Sequence, residues 1–227
     1  MRIGEKRRIV ALLGEDDVDM VLSELQHTEA RDAVNPLFAG ICNGNETVRW
    51  HAIIAMGPTV AKIADQDMEQ ARIIMRRLMW SLNDESGGIG WGAPESLAEI
   101  MATHNGLAEE YAHIPISYMR EDGNYLEHPT LQRGVLWGIG RLADARADLM
   151  QKYHAPRYLI PYLDSEDAPG RGLAARALGI LKEDSVLEKL RKLIDDSQEV
   201  RLYWNRDFST LTVGDMASQA IANILVP

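Results

Sequence analysis

The chain has 227 residues, enough to bury the core of one large domain or two small ones. It carries 24 Lys and Arg against 34 Asp and Glu, a net charge of −10, which disfavours a nucleic-acid groove because such a groove needs a surplus of basic residues. Its one cysteine, Cys42, forms neither an internal disulfide nor a zinc site by itself, and the basic first residues precede too short an apolar run for a secretory signal or a membrane span. We therefore expect a cytoplasmic protein with no nucleic-acid or membrane partner.

Helices dominate the predicted secondary structure. Aromatic residues make up only 6% of the chain, and Ala, Leu, Met and Ile are abundant, a composition that favours helix over strand. Apolar residues recur every three or four positions in several stretches, for example residues 48–63 and 213–224. Residues 200–204 are the one short stretch of strand type. The predicted fold class is all-α, with helix above about 55% of residues and negligible sheet.

The predicted helices form pairs, and the pairs repeat. Residues 1–29 contain one pair, at 5–13 and 17–26, whose polar outer face suits an N-terminal cap. Residues 30–227 contain five more pairs at intervals of 31 to 42 residues, which is typical of two-helix solenoids. The prediction is one domain, a curved right-handed α-solenoid of five degenerate repeats. An Asp or Asn begins the loop of each pair: Asn43, Asp84, Asp122, Asp164 and Asp195.

The second helices of these pairs resemble the HEAT-repeat family, particularly its short bacterial phycobilin-lyase type. That repeat has a Leu-Leu-x-Asp turn, then Val-Arg and an Ala-rich second helix; residues 162–164 with 170–179 match it best, and Val48-Arg49 next. The resemblance implies a HEAT or armadillo-like superhelix in which an Arg at a fixed repeat position binds the Asp of a neighbouring turn. Three arginines stand at that position: Arg49, Arg133 and Arg171. The pairs Asn43 with Arg49 and Asp164 with Arg171 each span one helix-pair turn.

Three of the loops within pairs are long, and we expect function to lie there. They cover residues 83–92, 121–129 and 197–214. Such loops fall on one edge of a solenoid, so the first two should meet. The third should lie two repeats further on, roughly 20 Å away, unless it reaches back over the short fourth loop. The predicted functional surface is this edge together with the concave wall of second helices.

The candidate binding residues belong to these loops. The first loop has four glycines within six residues, which permit close approach of a ligand, and the second is polar. A purely structural role stays open for both: tight turns in which Asp84 caps amides, Trp91 packs on the next repeat and Tyr125 fixes its loop to the body. Trp50 and Trp137 are predicted to be core. The predicted ligand- or partner-binding set is Asp84, Glu85, Trp91, Glu95, Tyr125, Glu127, His128 and Trp204.

Motifs for chemistry are weak. The glycines at 88, 90 and 92 follow a helix rather than a strand and lack a phosphate-binding Lys, so they do not indicate a nucleotide site. The six histidines are scattered and form no metal-binding motif, which leaves only a loose set of Asp84, Glu85, Glu127 and His128. We therefore predict no catalytic residue, no metal and no cofactor.

The predicted function is a non-enzymatic scaffold or adaptor. Its acidic loops favour a basic protein or peptide as partner. The alternative, implied by the resemblance to phycobilin lyases, is a lyase-like or small-molecule-binding protein with its site in the same loops. A HEAT-type DNA glycosylase is disfavoured by the net charge of −10.

Overall fold

A computed structural model describes residues 3–83 and 90–226 of the chain. Of these residues 72% are helical, which confirms the predicted all-α class. The chain forms two compact units, Met1–Ala108 and Glu109–Pro227. The division into a cap at 1–29 and repeats at 30–227 stays a prediction, and the first unit contains both the proposed cap and the first two repeat pairs.

The first two helices and the fourth lie close to the predicted stretches 5–13, 17–26 and 48–63. Asp17 starts the second helix by accepting hydrogen bonds from the amides of residues 19 and 20, and Asn45 starts the fourth by accepting one from Val48. A seventh helix, α7 (Asn105–Tyr111), leads into the second unit. The helices of the first unit are α1 (Ile3–Leu12), α2 (Val18–Gln26), α3 (Ala30–Ile41), α4 (Glu46–Gln66), α5 (Met68–Ser81) and α6 (Ala93–Thr103).

The second helices of repeats one and two, α4 and α6, pack against each other at Gly57. A Cβ at this position would lie 2.7 Å from the Thr103 hydroxyl and 3.1 Å from the Glu99 carbonyl oxygen, so only glycine fits without movement. Pro58 follows Gly57 directly, and a proline inside a helix ordinarily kinks or interrupts it. Helix α4 continues through Pro58, because its close packing on α6 offsets the one backbone hydrogen bond that proline removes.

The second unit contains the remaining three repeat pairs. Its second helices are packed side by side, with the fourth repeat's helix between those of the third and fifth. Gly179 permits this packing, since a Cβ there would lie 2.5 Å from the Cα of Ala220. The helices are α8 (His113–Ser117), α9 (Pro129–Ala145), α10 (Ala147–Lys152), α11 (Ala155–Leu159), α12 (Ala168–Ile180), α13 (Leu187–Leu193) and α14 (Val213–Leu225).

The fifth repeat's long loop forms a β-hairpin. Strands β1 (Glu199–Trp204) and β2 (Asp207–Thr212) pair antiparallel, with Trp204 opposite Asp207. Asn205 and Arg206 make the two-residue turn with φ of 52° and 67°, the left-handed conformation that such tight hairpin turns need. The strand predicted at 200–204 is thereby confirmed. The hairpin reaches back past the fourth repeat to α9, where the Trp137 indole donates a hydrogen bond of 2.7 Å to the Tyr203 carbonyl.

Arginines link successive repeats in the second unit, as the resemblance implied. The Nε of Arg133 lies 3.1 Å from Oδ1 of Asp167, at the start of α12. The Nε of Arg171 lies 3.0 Å from Oδ2 of Asp196, before the hairpin. The expected partner within the turn, Asp164, was wrong for Arg171: Asp164 pairs with Lys189. Arg171 spans its own turn through the carbonyl oxygen of residue 165, at 2.7 Å.

Candidate functional site

The Gly-rich loop of the first unit ends in a turn that glycine alone accommodates. Gly92 has φ of +74° and is the N-cap residue of α6. A Cβ on it would lie 2.7 Å from the carbonyl oxygen of Ile41, at the end of α3. The predicted site residues Asp84 and Glu85 lie outside the described residues. Trp91 precedes Gly92, and its side chain is 37% exposed.

The backbone of Trp91 contacts the end of α3. Its carbonyl oxygen accepts a hydrogen bond of 3.8 Å from the Cys42 thiol, at the C-terminal end of α3. Burial raises the pKa of that thiol, so Cys42 is a neutral donor at neutral pH rather than a reactive thiolate. The loop is thus tied to repeat one while part of the indole faces solvent.

Glu95 occupies the third position of α6, where the helix dipole favours a carboxylate. Its Oε2 is buried and has no hydrogen-bond partner. Burial raises the pKa of Glu95 to about 7, and the opposing effects of its own backbone amide and of the Arg49 charge do not offset this. A buried carboxylate oxygen without a donor is costly, so Glu95 is poised either to hold a proton or to accept a positively charged group.

Arg49 stands in repeat one at the same repeat position as Arg133 and Arg171, but it forms no hydrogen bond with Glu95. It donates a hydrogen bond of 3.4 Å to the Asn43 carbonyl oxygen and lies 3.7 Å from the Glu46 carboxylate. In the second unit, Arg133 and Arg171 both reach an acid of the next repeat. We call Arg49 and Glu95 the open rung, since the described residues show no hydrogen bond between them.

The insert of the third repeat is held by one buried amide. The Nε2 of Gln132 donates to the carbonyl oxygens of Tyr118 at 2.9 Å and Leu126 at 2.5 Å, while its Oε1 accepts from the Tyr162 hydroxyl. Apolar periodicity did not predict a role for Gln132. A polar residue interrupts the apolar pattern of a helix face, and the pattern does not indicate which distant groups that residue will bind. Burial and the neighbouring Tyr125 hydroxyl raise the pKa of Tyr162.

The predicted site residues of this insert have mixed roles. Tyr125 is 41% exposed, and Glu127 is also exposed. His128 is the N-cap residue of α9, and its Nδ1 accepts a hydrogen bond of 3.2 Å from the Thr130 amide. The imidazole therefore starts a helix and the Tyr125 hydroxyl lies next to that of Tyr162, while Glu127 is exposed.

Trp204 is half-buried at the end of β1 and packs against the buried Trp137. The guanidinium of Arg176, on α12, lies over its ring. Sequence reasoning missed Arg176, because nothing in the Ala-rich helix points to a partner 28 residues away in a hairpin. The buried position of Trp137 confirms its assignment to the core, whereas Trp50, also predicted to be core, is only half-buried.

Among the described side chains, no group of three or more His, Cys, Asp or Glu residues is placed to hold a metal ion. In the same part of the chain, no helix combines the length and apolar character that a membrane span requires.

Comparisons with known proteins identify the fold. No family model matches the chain, and no curated protein matches it. Among solved structures, an engineered protein is 16% identical with a TM-score of 0.56, covering 99% of this chain and 97% of its own. A designed armadillo repeat protein is 18% identical with a TM-score of 0.53, covering 96% and 98%.

A third similar structure is a designed armadillo repeat protein in complex with the peptide (KR)4. It is 17% identical to this chain with a TM-score of 0.54, covering 96% of this chain and 98% of its own. At these identities the likeness concerns the fold alone. The chain has an all-α solenoid fold of the armadillo-like helical-repeat type.

Proposed function

We propose that the protein is a non-enzymatic scaffold that binds a protein or peptide bearing basic side chains. The open rung carries this proposal, because its carboxylate oxygen is buried and lacks a donor, while an adjacent indole is partly exposed. Fold alone assigns no function, so these side chains are what support the proposal. We further propose that the repeats are of the HEAT type, on the residues matched at 162–179, and that the protein acts in the cytoplasm.

The chemistry of the open rung suits a cation. A Lys or Arg side chain could bring the missing donor to Glu95 Oε2, and its charge would favour the ionised carboxylate. Trp91 immediately precedes Gly92, the N-cap residue of the helix that carries Glu95, and its indole is partly exposed. The indole could cover the apolar part of the same Lys or Arg side chain or make a cation–π contact with it. The net charge of −10 adds a general attraction for basic partners.

One structurally similar protein supports the choice of a basic peptide as the probe. The designed armadillo repeat protein cited above is in complex with (KR)4, a peptide of alternating Lys and Arg. That peptide is a suitable probe here because it presents many basic side chains in an extended chain. A small amine would meet the same carboxylate and indole, so the alternative of a small-molecule-binding protein concerns the same residues.

The test is fluorescence anisotropy with dye-labelled (KR)4 at pH 8 and moderate salt. We expect Trp91→Ala to weaken binding about 30-fold and Glu95→Gln about tenfold. Trp80→Ala is the matched aromatic control, since Trp80 is 71% exposed on α5. Glu188→Gln is the matched charge control, since it removes one exposed carboxylate from the second unit. Both controls should bind within about twofold of the wild type.

If all four variants lose the same modest affinity, the peptide responds only to net charge, and the proposal is contradicted. If Trp91→Ala lowers the melting temperature strongly, the indole is structural, and unchanged peptide affinity in Glu95→Gln would then contradict the proposal. Free butylamine can be added as a competitor. If millimolar butylamine displaces (KR)4, the small-ligand alternative is favoured.

A further inference from the structure

A second unpartnered charge lies in the other unit, on the layer formed by α9, α12 and α14. The guanidinium carbon of Arg176 lies 4.0 Å from the centroid of the Trp204 ring. Its Nε is buried and has no hydrogen-bond partner. Burial lowers the pKa of Arg176, and Asp144 is the one neighbouring acid that opposes this effect. The group stays charged at neutral pH, because an arginine in a protein does not lose its proton.

The Trp204 ring beneath Arg176 is held in place by residues of α9. Trp204 packs edge-to-face on Trp137, with ring centroids 5.6 Å apart and planes at 68°. Gly140 of α9 faces the indole, where even a Cβ would lie 3.7 Å from the ring. A guanidinium stacked on such a ring loses little freedom when it binds a ligand, so its N–H donors are preorganised.

The nearest acid does not satisfy Arg176. Asp144 has a side chain that is 63% exposed, and it lies 3.9 Å from Arg141 on the same helix, α9. By contrast Arg133 and Arg171, on the same layer of helices, each bind a carboxylate directly. In a chain with ten more acidic than basic residues, a half-buried arginine left without a hydrogen-bonded acid is notable.

We propose that Arg176 and Trp204 form a binding site for a carboxylate group of a peptide, either an acidic side chain or a chain end. The planar fork of N–H donors matches the two oxygens of a carboxylate. A monoanion is favoured over a phosphate dianion, because the one guanidinium neutralises a single negative charge and would leave the second charge of a dianion uncompensated in a half-buried place. This site is independent of the open rung and does not rest on the function proposed above.

The test uses the side-chain Nε–H signal of Arg176 in proton–nitrogen NMR spectra, assigned by its loss in Arg176→Lys. Three probes are titrated: N-acetylglycine for a chain end, N-acetylaspartate α-amide for a side chain, and inorganic phosphate. We expect saturable shifts of the Arg176 Nε–H and Trp204 indole signals with one or both carboxylates. The probe that binds more tightly identifies whether the natural carboxylate is a chain end or an acidic side chain.

Variants separate binding from packing. Arg176→Gln should weaken carboxylate binding, read from the Trp204 indole signal, by at least about tenfold. Arg201→Gln is the matched control, because Arg201 also stacks on an aromatic ring of the hairpin, 4.6 Å from the centroid of Phe208. It should bind within about twofold of the wild type. Arg176→Lys keeps the charge and serves in place of Arg176→Gln if the latter melts early.

Three outcomes would overturn the proposal. The first is the absence of a saturable shift with either carboxylate up to about 50 mM, near the weak limit for a single ion pair. The second is a carboxylate-induced shift of the Trp204 indole signal that is the same in Arg176→Gln as in the wild type. The third is tighter binding of phosphate than of both carboxylates. In the first two cases Arg176 would serve only to cover the Trp204 ring, and in the third it would belong to a phosphate site.

Discussion

Arg171 and Asp196 form an ion pair that joins the fourth repeat to the fifth with little exposure to solvent. The two side chains are only 10% and 16% exposed, and Arg171 also donates to carbonyl oxygens of its own turn. Burial raises the pKa of Asp196, but the Gln198 amide and Arg171 lower it by more. Removal of either partner would therefore strand a charge in a poorly hydrated place.

We expect Arg171→Ala to lower the free energy of unfolding by about 3 kcal/mol, the cost of breaking a buried pair. Arg133→Ala should cost about 1 kcal/mol or less, because Arg133 and Asp167 are 45% and 30% exposed and solvent screens their attraction. Urea unfolding followed by circular dichroism measures both. Equal losses in the two variants would contradict this ranking of the links by burial.

Glu95 should make stability depend on pH. Its folded-state pKa is about 7, above the ordinary value of 4.5, so the protonated form stabilises the fold. The contribution is fully present below pH 4.5 and is lost as pH rises to about 7. Relative to wild type, Glu95→Gln should gain up to about 3 kcal/mol of stability between pH 4.5 and 8. A constant difference across this range would show that the carboxyl is hydrated.

The same carboxyl should make peptide binding depend on pH in the opposite sense. A cationic side chain prefers the ionised form of Glu95, so the affinity for (KR)4 should rise as pH passes through about 7. The rise should be absent in Glu95→Gln. Calorimetry in two buffers of different ionisation enthalpy would also detect protons released on binding at pH 6.5. An identical pH profile in both proteins would contradict the assignment of the site.

Gly92 should be intolerant of any side chain. Gly92→Ala places a Cβ on a residue with φ of +74° and 2.7 Å from the Ile41 carbonyl oxygen. We expect a loss of about 3 kcal/mol or more, from backbone strain and displacement of α3 together. Gly44→Ala is the matched control, since no atom lies within 4 Å of its added Cβ. Thermal melting compares the two, and similar melting temperatures would contradict the expectation.

The helix pairs were predictable because their signals are local. Apolar spacing at residues 48–63 and 213–224 located α4 and α14. The arginine ladder was predictable in kind, but its partners were not. Arg133 meets Asp167 rather than Asp164, because the acid that caps α12 lies closer to the neighbouring helix than the acid that ends the preceding turn.

The site could be predicted only in part. Trp91 and Glu95 stood out because a Gly-rich loop beside a helix start is unusual, but the burial of Glu95 Oε2 depends on how repeats one and two pack. The carboxylate-binding pair of Arg176 and Trp204 had no local signal. It exists because the fifth repeat's loop folds back onto α12, and contacts between distant segments leave no periodic trace in a single sequence.

The hairpin's bond to Trp137 changes how the second unit should unfold. In an ordinary repeat array each repeat touches only its neighbours, so terminal repeats can fray one at a time. Here the fifth repeat contacts the third directly, through the Trp137 hydrogen bond and the Trp204 stack. Because the fifth repeat is bound to the third as well as to the fourth, any state in which only the fifth repeat is unfolded also loses these contacts. The last three repeats should therefore open together, as one cooperative block, with hydrogen exchange in α14 as slow as in α9.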